Sequence, residues 1–366
     1  MTNDLSLYFH IPFCVRKCAY CAFYSLPGQS DALKEEYAEA VLRQFEFFED
    51  ERRATSVYFG GGTPTELGID ALCKLISTAA ERFAEEDCEI TVEVNPGAVD
   101  RKGLAALRGA GANRLSVGVQ SSNDEILKKL GRIHRFKDTV DCFENARAAG
   151  FSDISADVMF ALPYGEPERF GEELLRIIEL EPTHISAYSL QLEEGTKLYA
   201  LKDRLEFPGE DAEENEYDTL CGIAEKNGFK HYEISSYAKP GFESRHNSGY
   251  WSMREYFGFG AGAHSFYGGK RFSAPNDVKR FIERSKLSLY APTDFDKVLP
   301  LSKKDLFEEK IMLGLRTCKG AEIPDNKRGV AQMIASQGFG TFENGVLRLN
   351  SKGFRVSNKI ISDVLY

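Results

Sequence analysis

Three cysteines stand close together near the start of the chain, as Cys14, Cys18 and Cys21 with the spacing C-x3-C-x2-C. They follow the run LSLYFHI, whose apolar and aromatic residues predict a β-strand. Three thiolates can hold three irons of a cubane 4Fe-4S cluster and leave the fourth iron open to a small chelating ligand, whereas an electron-transfer ferredoxin supplies a fourth thiolate. The spacing therefore favours a cluster with one open iron.

A zinc site is the alternative use of these thiols, with His10 as the fourth ligand. Structural zinc sites usually combine two pairs of closely spaced ligands, and the sequence has no second pair of close cysteines. The other cysteines stand singly in apolar or helical contexts, where we expect small buried core residues. They are Cys73, Cys88, Cys142, Cys221 and Cys318.

The composition is typical of a soluble globular protein. Of the 366 residues, 42% are hydrophobic and 28% are charged, and no apolar run approaches the ~18 residues of a membrane span. The net charge of −10 disfavours general nucleic-acid binding, which needs a basic surface. The N-terminus MTNDLSLYFH lacks the basic flank and apolar core of a secretion signal, so we expect a cytoplasmic protein.

Short strand-like runs alternate with longer helical patterns over the first half of the chain. Six strand runs can be counted, namely LSLYFHI, TSVYFGG, CEITVEVNP, NRLSVGVQ, DISADVMFALP and THISAYSLQLE. Repeated strand–helix units predict an α/β protein with a parallel sheet, and crossovers of one hand can curl that sheet into a barrel. We therefore expect a partial (β/α)6 TIM-like barrel.

The regular alternation of strands and helices ends after the sixth strand. A further helix, the strand-like run YEISSYA and the Gly/aromatic stretch FGFGAGAHSFYGG come next. The last part predicts a helix, a hairpin at GVLRLNSKGFRVS and a final helix, which together resemble a winged-helix module. We therefore divide the chain into the barrel (1–235), a connecting region that carries a histidine motif (236–300) and a small C-terminal winged-helix-like module (301–366).

Glycines and polar residues mark the ends of the predicted strands. The second strand is followed by Gly60-Gly61-Gly62-Thr63-Pro64, where residues without a Cβ let the backbone approach a ligand closely. The third strand ends in Glu93 and Asn95, the fourth ends in Gln120, and the fifth contains Asp157. Because these ends meet on one face of a barrel, we expect one shared ligand site beside the cysteines.

The cysteine spacing, with an aromatic residue at Tyr20, resembles the signature of radical S-adenosylmethionine proteins. The resemblance implies that the open iron is chelated by S-adenosylmethionine, whose sulfonium is cleaved by an electron from the cluster. Asp157 would suit the ribose hydroxyls and Arg132 a carboxylate. The residues implied to contact this cofactor are Tyr8, Tyr20, Gly61, Gly62, Thr63, Glu93, Gln120, Arg132, Asp157 and His264.

Nearly the whole chain is similar to the branch of oxygen-independent coproporphyrinogen III oxidase. The oxidase has a further cysteine two residues after the triad, where this sequence has Phe23. The segment HNSGYW instead resembles the H-N-x-x-Y-W motif of haem chaperones of the HemW type, although it could also be a loop whose aromatic rings seal the barrel. An imidazole can ligate haem iron, and aromatic rings can pack on a porphyrin. The resemblance implies haem contacts from His246, Asn247, Tyr250 and Trp251.

The expected function is that of a haem chaperone. Such a protein would bind the cluster, S-adenosylmethionine and one haem as cargo, and pass the haem to an acceptor apoprotein. The alternatives are an oxygen-independent coproporphyrinogen III oxidase, a radical enzyme with another substrate, and a zinc-stabilised binding module. The resemblance also implies an electron donor such as a flavodoxin or ferredoxin. No nucleic-acid partner is expected, and any membrane association is expected to be peripheral and through a partner.

Overall fold

The fold is seen in a computed structural model that describes residues 4–287 and 297–366. Residues 1–3 and 288–296, which fall in the first and second predicted regions, lie outside the described residues. The first half of the chain alternates between strands and helices, as its pattern predicts. In chain order the elements are β1 (Leu5–Ile11), β2 (Phe13–Cys14), β3 (Leu26–Pro27), α1 (Asp31–Phe47), β4 (Ala54–Gly61), α2 (Ile69–Phe83), β5 (Ala84–Val94), α3 (Arg101–Gly109), β6 (Arg114–Gln120), α4 (Asp124–Lys129), α5 (Phe136–Ala148), β7 (Asp153–Phe160), α6 (Phe170–Ile178) and β8 (His184–Ser189).

The middle of the chain adds strands to both sides of the same sheet. Its elements are α7 (Glu210–Lys226), β9 (Lys230–Glu233), β10 (Ser236–Ala238), α8 (Arg245–Trp251), β11 (Glu255–Phe259), β12 (His264–Tyr267), β13 (Lys270–Ser273) and α9 (Val278–Lys286). The run YEISSYA was expected to form one strand, and this expectation is wrong. It spans β9 and β10, which pair antiparallel. The reversal has no glycine or proline to mark it, which is why the pattern did not predict a turn.

The last elements of the chain include the segment that the sequence predicts as a winged-helix-like module. They are β14 (Lys297–Pro300), α10 (Lys303–Gly314), β15 (Ala321–Glu322), α11 (Arg328–Ser336), β16 (Gly340–Glu343), β17 (Val346–Leu349), α12 (Ser351–Arg355) and α13 (Ser357–Leu365). A three-stranded antiparallel sheet with the order β15-β17-β16 packs with these helices around a small separate core. β14 instead pairs with β13 and so extends the large sheet.

The predicted hairpin of this module is displaced toward the N-terminus. It joins β16 to β17 through Asn344 and Gly345, which both have positive φ angles, 51° and 80°. Asn-Gly is the residue pair that such tight turns favour. The part of the predicted hairpin after β17 begins α12 instead, because the Asn350 side chain accepts a hydrogen bond from the Gly353 backbone N–H and caps the helix.

One large sheet organises the described residues. Its strand order is β14-β13-β12-β11-β1-β4-β5-β6-β7-β8-β10-β9. All neighbours from β11 through β8 are parallel, and the strands outside them are antiparallel. The six predicted strands are β1, β4, β5, β6, β7 and β8, with β11 as a seventh parallel strand. The α/β fold class with a partial TIM-like barrel is therefore confirmed.

Side chains on the barrel strands alternate between the outer helices and the lumen. In β1 the fully buried outward residues are Leu5, Leu7, Phe9 and Ile11. Their neighbours Ser6, Tyr8 and His10 point to the other face of the strand. Ser6 there accepts a hydrogen bond from the Ser56 hydroxyl of β4, at 2.9 Å. The lumen is therefore polar, while the apolar core lies between the sheet and the helices.

A stack of aromatic rings holds the centre of this outer core. Phe9 is 0% exposed, and its ring lies between those of Phe59 on β4 and Phe259 on β11, at centroid distances of 4.5 and 4.6 Å. Phe45 of α1 meets it edge-on at 5.3 Å. The stack joins three parallel strands to the first helix. None of the described helices is both long and apolar enough to cross a membrane.

Replacing Phe9 with alanine is expected to lower the free energy of unfolding by about 3–5 kcal/mol, because the lost ring leaves a cavity among three other rings. Leu175→Ala is a suitable control, since Leu175 on α6 is 43% exposed and its truncation should cost about 1 kcal/mol or less. Urea denaturation followed by circular dichroism measures both values. Equal losses in the two variants would contradict this account of the core.

Candidate functional site

A cavity of about 460 Å³ opens at the carboxyl ends of the parallel strands. The three clustered cysteines, Cys14, Cys18 and Cys21, all line it. So do most of the residues that the sequence predicts as cofactor contacts, which come from the cysteine loop, from β4 to β7 and from the loops that follow these strands. These are Tyr20, Gly61, Gly62, Thr63, Glu93, Gln120, Arg132 and Asp157, together with Asn95. The fold thus brings one set of sequence-distant residues to one mouth.

The glycines after β4 let this strand end lie against the cysteine loop. A Cβ on Gly62 would stand 2.5 Å from the Phe13 carbonyl oxygen and 3.0 Å from the Cys14 sulfur. Gly61 has a φ of 117°, and a Cβ there would meet the His10 ring at 2.6 Å. The Gly62 N–H donates to the Ile11 carbonyl at 2.9 Å. Larger residues at these positions would push the two segments apart.

A chain of hydrogen bonds connects two of the cysteines across the mouth. The Arg132 guanidinium lies near the Cys18 sulfur at 3.7 Å and donates to the Asn95 side-chain oxygen at 2.6 Å. The Asn95 amide in turn donates to the Thr63 hydroxyl at 2.8 Å, and that hydroxyl lies 3.7 Å from the Cys14 sulfur. These contacts fix the spacing of the two thiols through side chains from three different loops.

The thiols fit an iron–sulfur cluster better than a zinc ion. Burial raises the pKa of the Cys14 and Cys21 thiols, so their ionisation calls for a nearby metal charge. Both ring nitrogens of His10 are already bonded, Nδ1 to the Tyr8 hydroxyl and Nε2 to the Tyr24 carbonyl oxygen, each at 3.0 Å. Within residues 4–287 and 297–366, no three His, Cys, Asp or Glu side chains converge on one metal-ion position. The zinc site with His10 is therefore not supported.

Two buried carboxylates face the same cavity. Burial, together with the nearby Asp157, raises the pKa of Glu93 to about 7, although Tyr58 and the Gly61 N–H donate hydrogen bonds to it. Burial also raises the pKa of Asp157, which accepts hydrogen bonds from Ser116. The charge of Arg114 acts in the opposite sense on Asp157, but burial prevails. Buried acids with raised pKa values suit a positively charged ligand, because such a ligand would stabilise their ionised forms. S-adenosylmethionine, with its sulfonium, is a ligand of this kind.

Backbone strain marks another position on this wall. Gln120, the last residue of β6, has a φ of 66°, which a residue with a side chain seldom adopts. Such residues concentrate at ligand sites, where the surrounding structure holds them. Here the turn directs the chain from the strand end into the cavity wall. Its backbone conformation and its position in the cavity lining both favour the prediction that Gln120 contacts a ligand.

Two predicted cofactor contacts do not line the cavity. Tyr8 lies deeper in the lumen, where its ring stacks on Tyr58 at 6.2 Å. His264 is exposed at the start of β12. Burial lowers the pKa of His10, and the nearby His264 lowers it further. The structure therefore does not place Tyr8 or His264 among the residues that line the cavity.

The HNSGYW segment is a helix, α8, and not a loop. Its N-terminus is held by the Ser244 side chain and by Glu89 of β5, whose carboxylate accepts from the backbone N–H groups of Arg245 and His246 at 2.8 and 2.9 Å. An acidic side chain at this end also satisfies the helix dipole. Glu89 therefore fixes the helix to the barrel.

His246 points inward from α8 and is 1% exposed. Its Nδ1 lies 3.0 Å from the Ser56 hydroxyl and its Nε2 lies 2.8 Å from the Tyr250 hydroxyl. Burial, with the charges of Arg254 and Arg114, lowers its pKa to about 3, so the imidazole is neutral. A neutral imidazole can bind iron, but both nitrogens here already have partners.

The other motif residues face in different directions. Asn247 lines the barrel cavity with the cysteines, whereas Trp251 lines a second cavity on the far side of α8. Tyr250 packs edge-on against Tyr256 at 4.6 Å. The motif is therefore divided between two cavities, with His246 buried between them.

Several residues that line the cavity were not among the site residues predicted from the sequence. Tyr58, Ser116, Ser186 and Tyr188 all line the barrel cavity. Each stands at an inward position of its strand, two residues before or after another lumen residue. The period-two alternation of polar and apolar residues within the six strands was the signal that could have identified them.

The comparisons with known proteins agree with this geometry. A model of the Radical SAM superfamily matches residues 8–177. The chain is 35% identical over 359 residues to the heme chaperone HemW of Bacillus subtilis, covering 95% of this chain and 92% of that protein. It is 37% identical over 321 residues to the heme chaperone HemW of Lactococcus lactis, covering 86% of this chain and 82% of that protein. The solved structure of coproporphyrinogen III oxidase HemN from Escherichia coli superposes with a TM-score of 0.84 at 20% identity, over 99% of this chain and 90% of that one. This last match shows a shared fold.

The buried Glu93 predicts pH-dependent binding of S-adenosylmethionine. With a pKa of about 7 in the free protein, Glu93 must lose a proton to pair with a cation, so affinity should fall about tenfold between pH 8 and pH 6. Glu93→Gln should bind more weakly at pH 8 and show a flatter profile. Equilibrium dialysis of anaerobically reconstituted protein measures both, with Glu125→Gln on the exposed first turn of α4 as the control. Parallel profiles for the wild type and Glu93→Gln would contradict the assignment.

Proposed function

The chain belongs to the HemW family of heme chaperones within the radical S-adenosylmethionine superfamily, and we propose that it is itself a haem chaperone. It carries a 4Fe-4S cluster and S-adenosylmethionine, binds one haem as cargo and passes it to an acceptor apoprotein. The observation that carries this proposal is 35% identity to a named heme chaperone over 95% of the chain. An overlap of that length includes the middle of the chain, where α8 lies.

Cys14, Cys18 and Cys21 would hold the cluster. Thiolates are the usual ligands of iron–sulfur clusters, and three of them leave one iron open. When bound, the cluster supplies that open iron and a transferable electron. The protein contributes the spacing of the thiols, which Thr63 and Arg132 hold in place through their contacts with Cys14 and Cys18.

The barrel cavity would hold S-adenosylmethionine beside the cluster. Glu93 and Asp157 offer two buried carboxylates, and Arg132 offers a cation in the same cavity lining. This arrangement is complementary to a ligand that carries both positive centres and a carboxylate. The predicted contacts from Tyr20, Gly61, Gly62, Thr63 and Gln120 belong to the same proposal. Those from Tyr8 and His264 would require a ligand that extends beyond the described cavity lining.

Haem binding would involve the α8 motif, with His246 as an iron ligand and contacts from Asn247, Tyr250 and Trp251. His246 is neutral and needs no deprotonation before it binds a metal. It would have to exchange its hydrogen bonds with Ser56 and Tyr250 for the iron. Haem loading is therefore coupled to a local rearrangement of α8.

Oxygen-independent decarboxylation of coproporphyrinogen III is less well supported. The likeness to the oxidase is 20% identity, which bears on the fold alone. Phe23 occupies the position of the oxidase's additional cysteine, and its side chain is 70% exposed at the cavity rim. A benzyl side chain offers no metal ligand there. A radical enzyme for another substrate has no specific observation in its favour.

The partners in this proposal are a haem-accepting apoprotein and a flavodoxin or ferredoxin as electron donor. The proposed location is the cytoplasm, with any membrane association peripheral and through a partner. The cluster mouth is bordered by the exposed apolar residues Val15, Phe23 and Ile133, which suit contact with another protein. No role in nucleic-acid binding is proposed, given the net charge of −10.

The cluster assignment predicts that iron depends on the three mouth cysteines. Replacing Cys14, Cys18 and Cys21 together with alanine should abolish stoichiometric iron and sulfide in protein prepared without oxygen. Cys73→Ala should retain both, because Cys73 lies on α2 away from the cavity. Elemental analysis and the visible absorption spectrum give the result. Unchanged iron and sulfide in the triple variant would overturn the assignment.

The chaperone assignment predicts haem binding and transfer. Added haemin should give a stoichiometric Soret shift, and the loaded protein should transfer haem to a haem-requiring apoprotein. His246→Ala should weaken the shift, whereas His264→Ala, which removes an exposed imidazole, should leave it unchanged. Absence of the Soret shift in the wild type would contradict the proposal. So would many turnovers of coproporphyrinogen III to protoporphyrinogen IX in an anaerobic assay with reductant and S-adenosylmethionine.

A further inference from the structure

A second and larger cavity lies between α8 and the C-terminal module. We call it the outer cavity, and its volume is about 1010 Å³. One wall comes from α8 and the turn after it, with Trp251 and Arg254, and the other comes from α10 and the turn that leads to β15. This volume is at the upper end of the range for small-molecule sites. The outer cavity is large enough for a ligand of the size of a porphyrin.

Backbone hydrogen bonds hold the two walls in place. The Cys318 N–H donates to the Tyr232 carbonyl and the Ile234 N–H donates to the Arg316 carbonyl, both at 2.9 Å. Thr317 also forms an isolated bridge with Glu233. These bonds join the C-terminal module to the β9–β10 hairpin. The outer cavity is therefore a built feature of the fold and does not depend on loosely packed side chains.

The barrel cavity cannot hold the cargo as well as the cofactors. It is less than half as large, at about 460 Å³, and its lining already includes the three cluster cysteines and the predicted cofactor contacts. A tetrapyrrole therefore needs separate space. The outer cavity offers that space directly beside the motif helix, through Ser248 and Trp251.

Part of the outer cavity wall is apolar. Trp251 lines one side, and Phe307 and Ile311 of α10 line the other. Phe307 is 52% exposed, which is unusual for a large apolar side chain on a helix that packs against α8. Aromatic side chains offer flat surfaces to a planar ring. These residues suit a flat, largely apolar ligand.

Two cations of the lining form ion pairs. Arg245 pairs with Asp87 at 3.2 Å, and Arg328 pairs with Asp325 at 2.8 Å. Of the remaining acids, Glu243 accepts from the Gly241 N–H at 3.1 Å. Glu233 likewise accepts from the Ser235 N–H at 3.1 Å. These two acids therefore have hydrogen-bond donors but, among the described residues, no paired cation.

Three cations in the lining are left over. Among the described residues, no ion pair holds the side chains of Arg254, Lys310 or Lys319. Arg254 donates hydrogen bonds to the Ser6 hydroxyl and to the Arg245 carbonyl, while Lys310 and Lys319 are exposed. The acids Glu233, Glu243 and Glu322 of the lining likewise have no ion pair, so the cations are available to a ligand but do not outnumber the acids. Cations without an ion pair beside an apolar wall are complementary to a ligand with carboxylates at one edge. A tetrapyrrole with two propionates has this combination of a flat apolar face and an anionic edge.

We propose that the outer cavity holds the tetrapyrrole cargo, with its carboxylates against Arg254, Lys310 and Lys319 and its ring against Trp251 and Phe307. The inference rests on the proposed function, since it locates the cargo of a haem chaperone. It adds a binding wall from the C-terminal module, which contains none of the motif residues. Opening of this wall would release the ring toward an acceptor protein.

The charge reversal K310E/K319E tests the cationic wall. Metal-free protoporphyrin IX is the probe, because it keeps the ring and the carboxylates of the cargo and leaves the proposed iron contact of His246 out of the measurement. The double variant should bind it at least about tenfold more weakly, since two partly exposed ion pairs are lost and two repulsions are added. The control K303E/K352E makes the same change of charge on exposed lysines of the same module that do not line the outer cavity. Fluorescence titration measures the affinities.

The dimethyl ester of protoporphyrin IX isolates the carboxylate contribution. It keeps the ring but has no anionic edge, so K310E/K319E should change its affinity by less than about twofold, within the range expected where no ion pair is formed. Equal weakening of the acid and the ester would indicate damage to the fold and would overturn the charge assignment. Phe307→Ser, outside the charged set, should weaken both probes.

Cys318 provides a reporter of where the ring binds. The sequence suggested a buried core cysteine, and that expectation is wrong, because Cys318 is exposed in the turn after α10 and lines the outer cavity. Protoporphyrin IX should slow the alkylation of Cys318 by iodoacetamide, as followed by mass spectrometry of the corresponding peptide. Ring binding without protection of Cys318 would place the ring elsewhere and overturn the inference.

The possible results separate this inference from the proposed function. Tight ring binding that is indifferent to K310E/K319E and leaves Cys318 unprotected would overturn the inference and leave the chaperone function intact. That result would instead suit a segment of the acceptor protein as the occupant. Ring binding as expected, but without haem transfer, would uphold the inference and contradict the chaperone function. A wild-type protein that binds no ring would overturn both.

Discussion

The site depends on one series of side-chain contacts. It connects Cys18 to Cys14 through Arg132, Asn95 and Thr63. Its members come from the cysteine loop, from the end of β5 and from the loops after β4 and α4, and all of its contacts are partly buried. The series can form only if the parallel strands end at the same level. The sheet register therefore sets the separation of the thiols, and the outer aromatic core that fixes this register serves the site indirectly.

The polar lumen has a second consequence for function. Tyr58 donates a hydrogen bond to Glu93 in the barrel cavity, and its ring lies 4.9 Å from that of His246. One side chain thus contacts both the predicted cofactor pocket and the predicted haem motif. Tyr58 therefore connects the two predicted sites, and we expect a ligand that changes the charge of Glu93 to affect the surroundings of His246.

The fold alone does not distinguish a haem chaperone from a porphyrin-forming enzyme. The oxidase HemN has the same architecture at 20% identity. The extended identity of this chain to heme chaperones is what favours the chaperone, and the chain has two cavities on either side of one short helix. A protein that holds cargo and does not transform it benefits from keeping that cargo apart from the cluster.

The sequence by itself determined the features that depend on local spacing: the cysteine triad, the glycine turn after β4, the six strand–helix units and the motif of α8. Spacing of this kind depends only on residues that are close together in the sequence. Strand order follows from the handedness of the connections. Two further features are visible in the sequence but were not predicted from it. They are the Asn344-Gly345 turn and the polar alternation that marks Tyr58 and Ser186 as lumen residues. Only the tertiary structure decided that His246 points inward, that Cys318 is exposed and that two distant segments enclose the outer cavity. These features depend on which surfaces meet after folding, and no local pattern encodes the partner that a side chain will face.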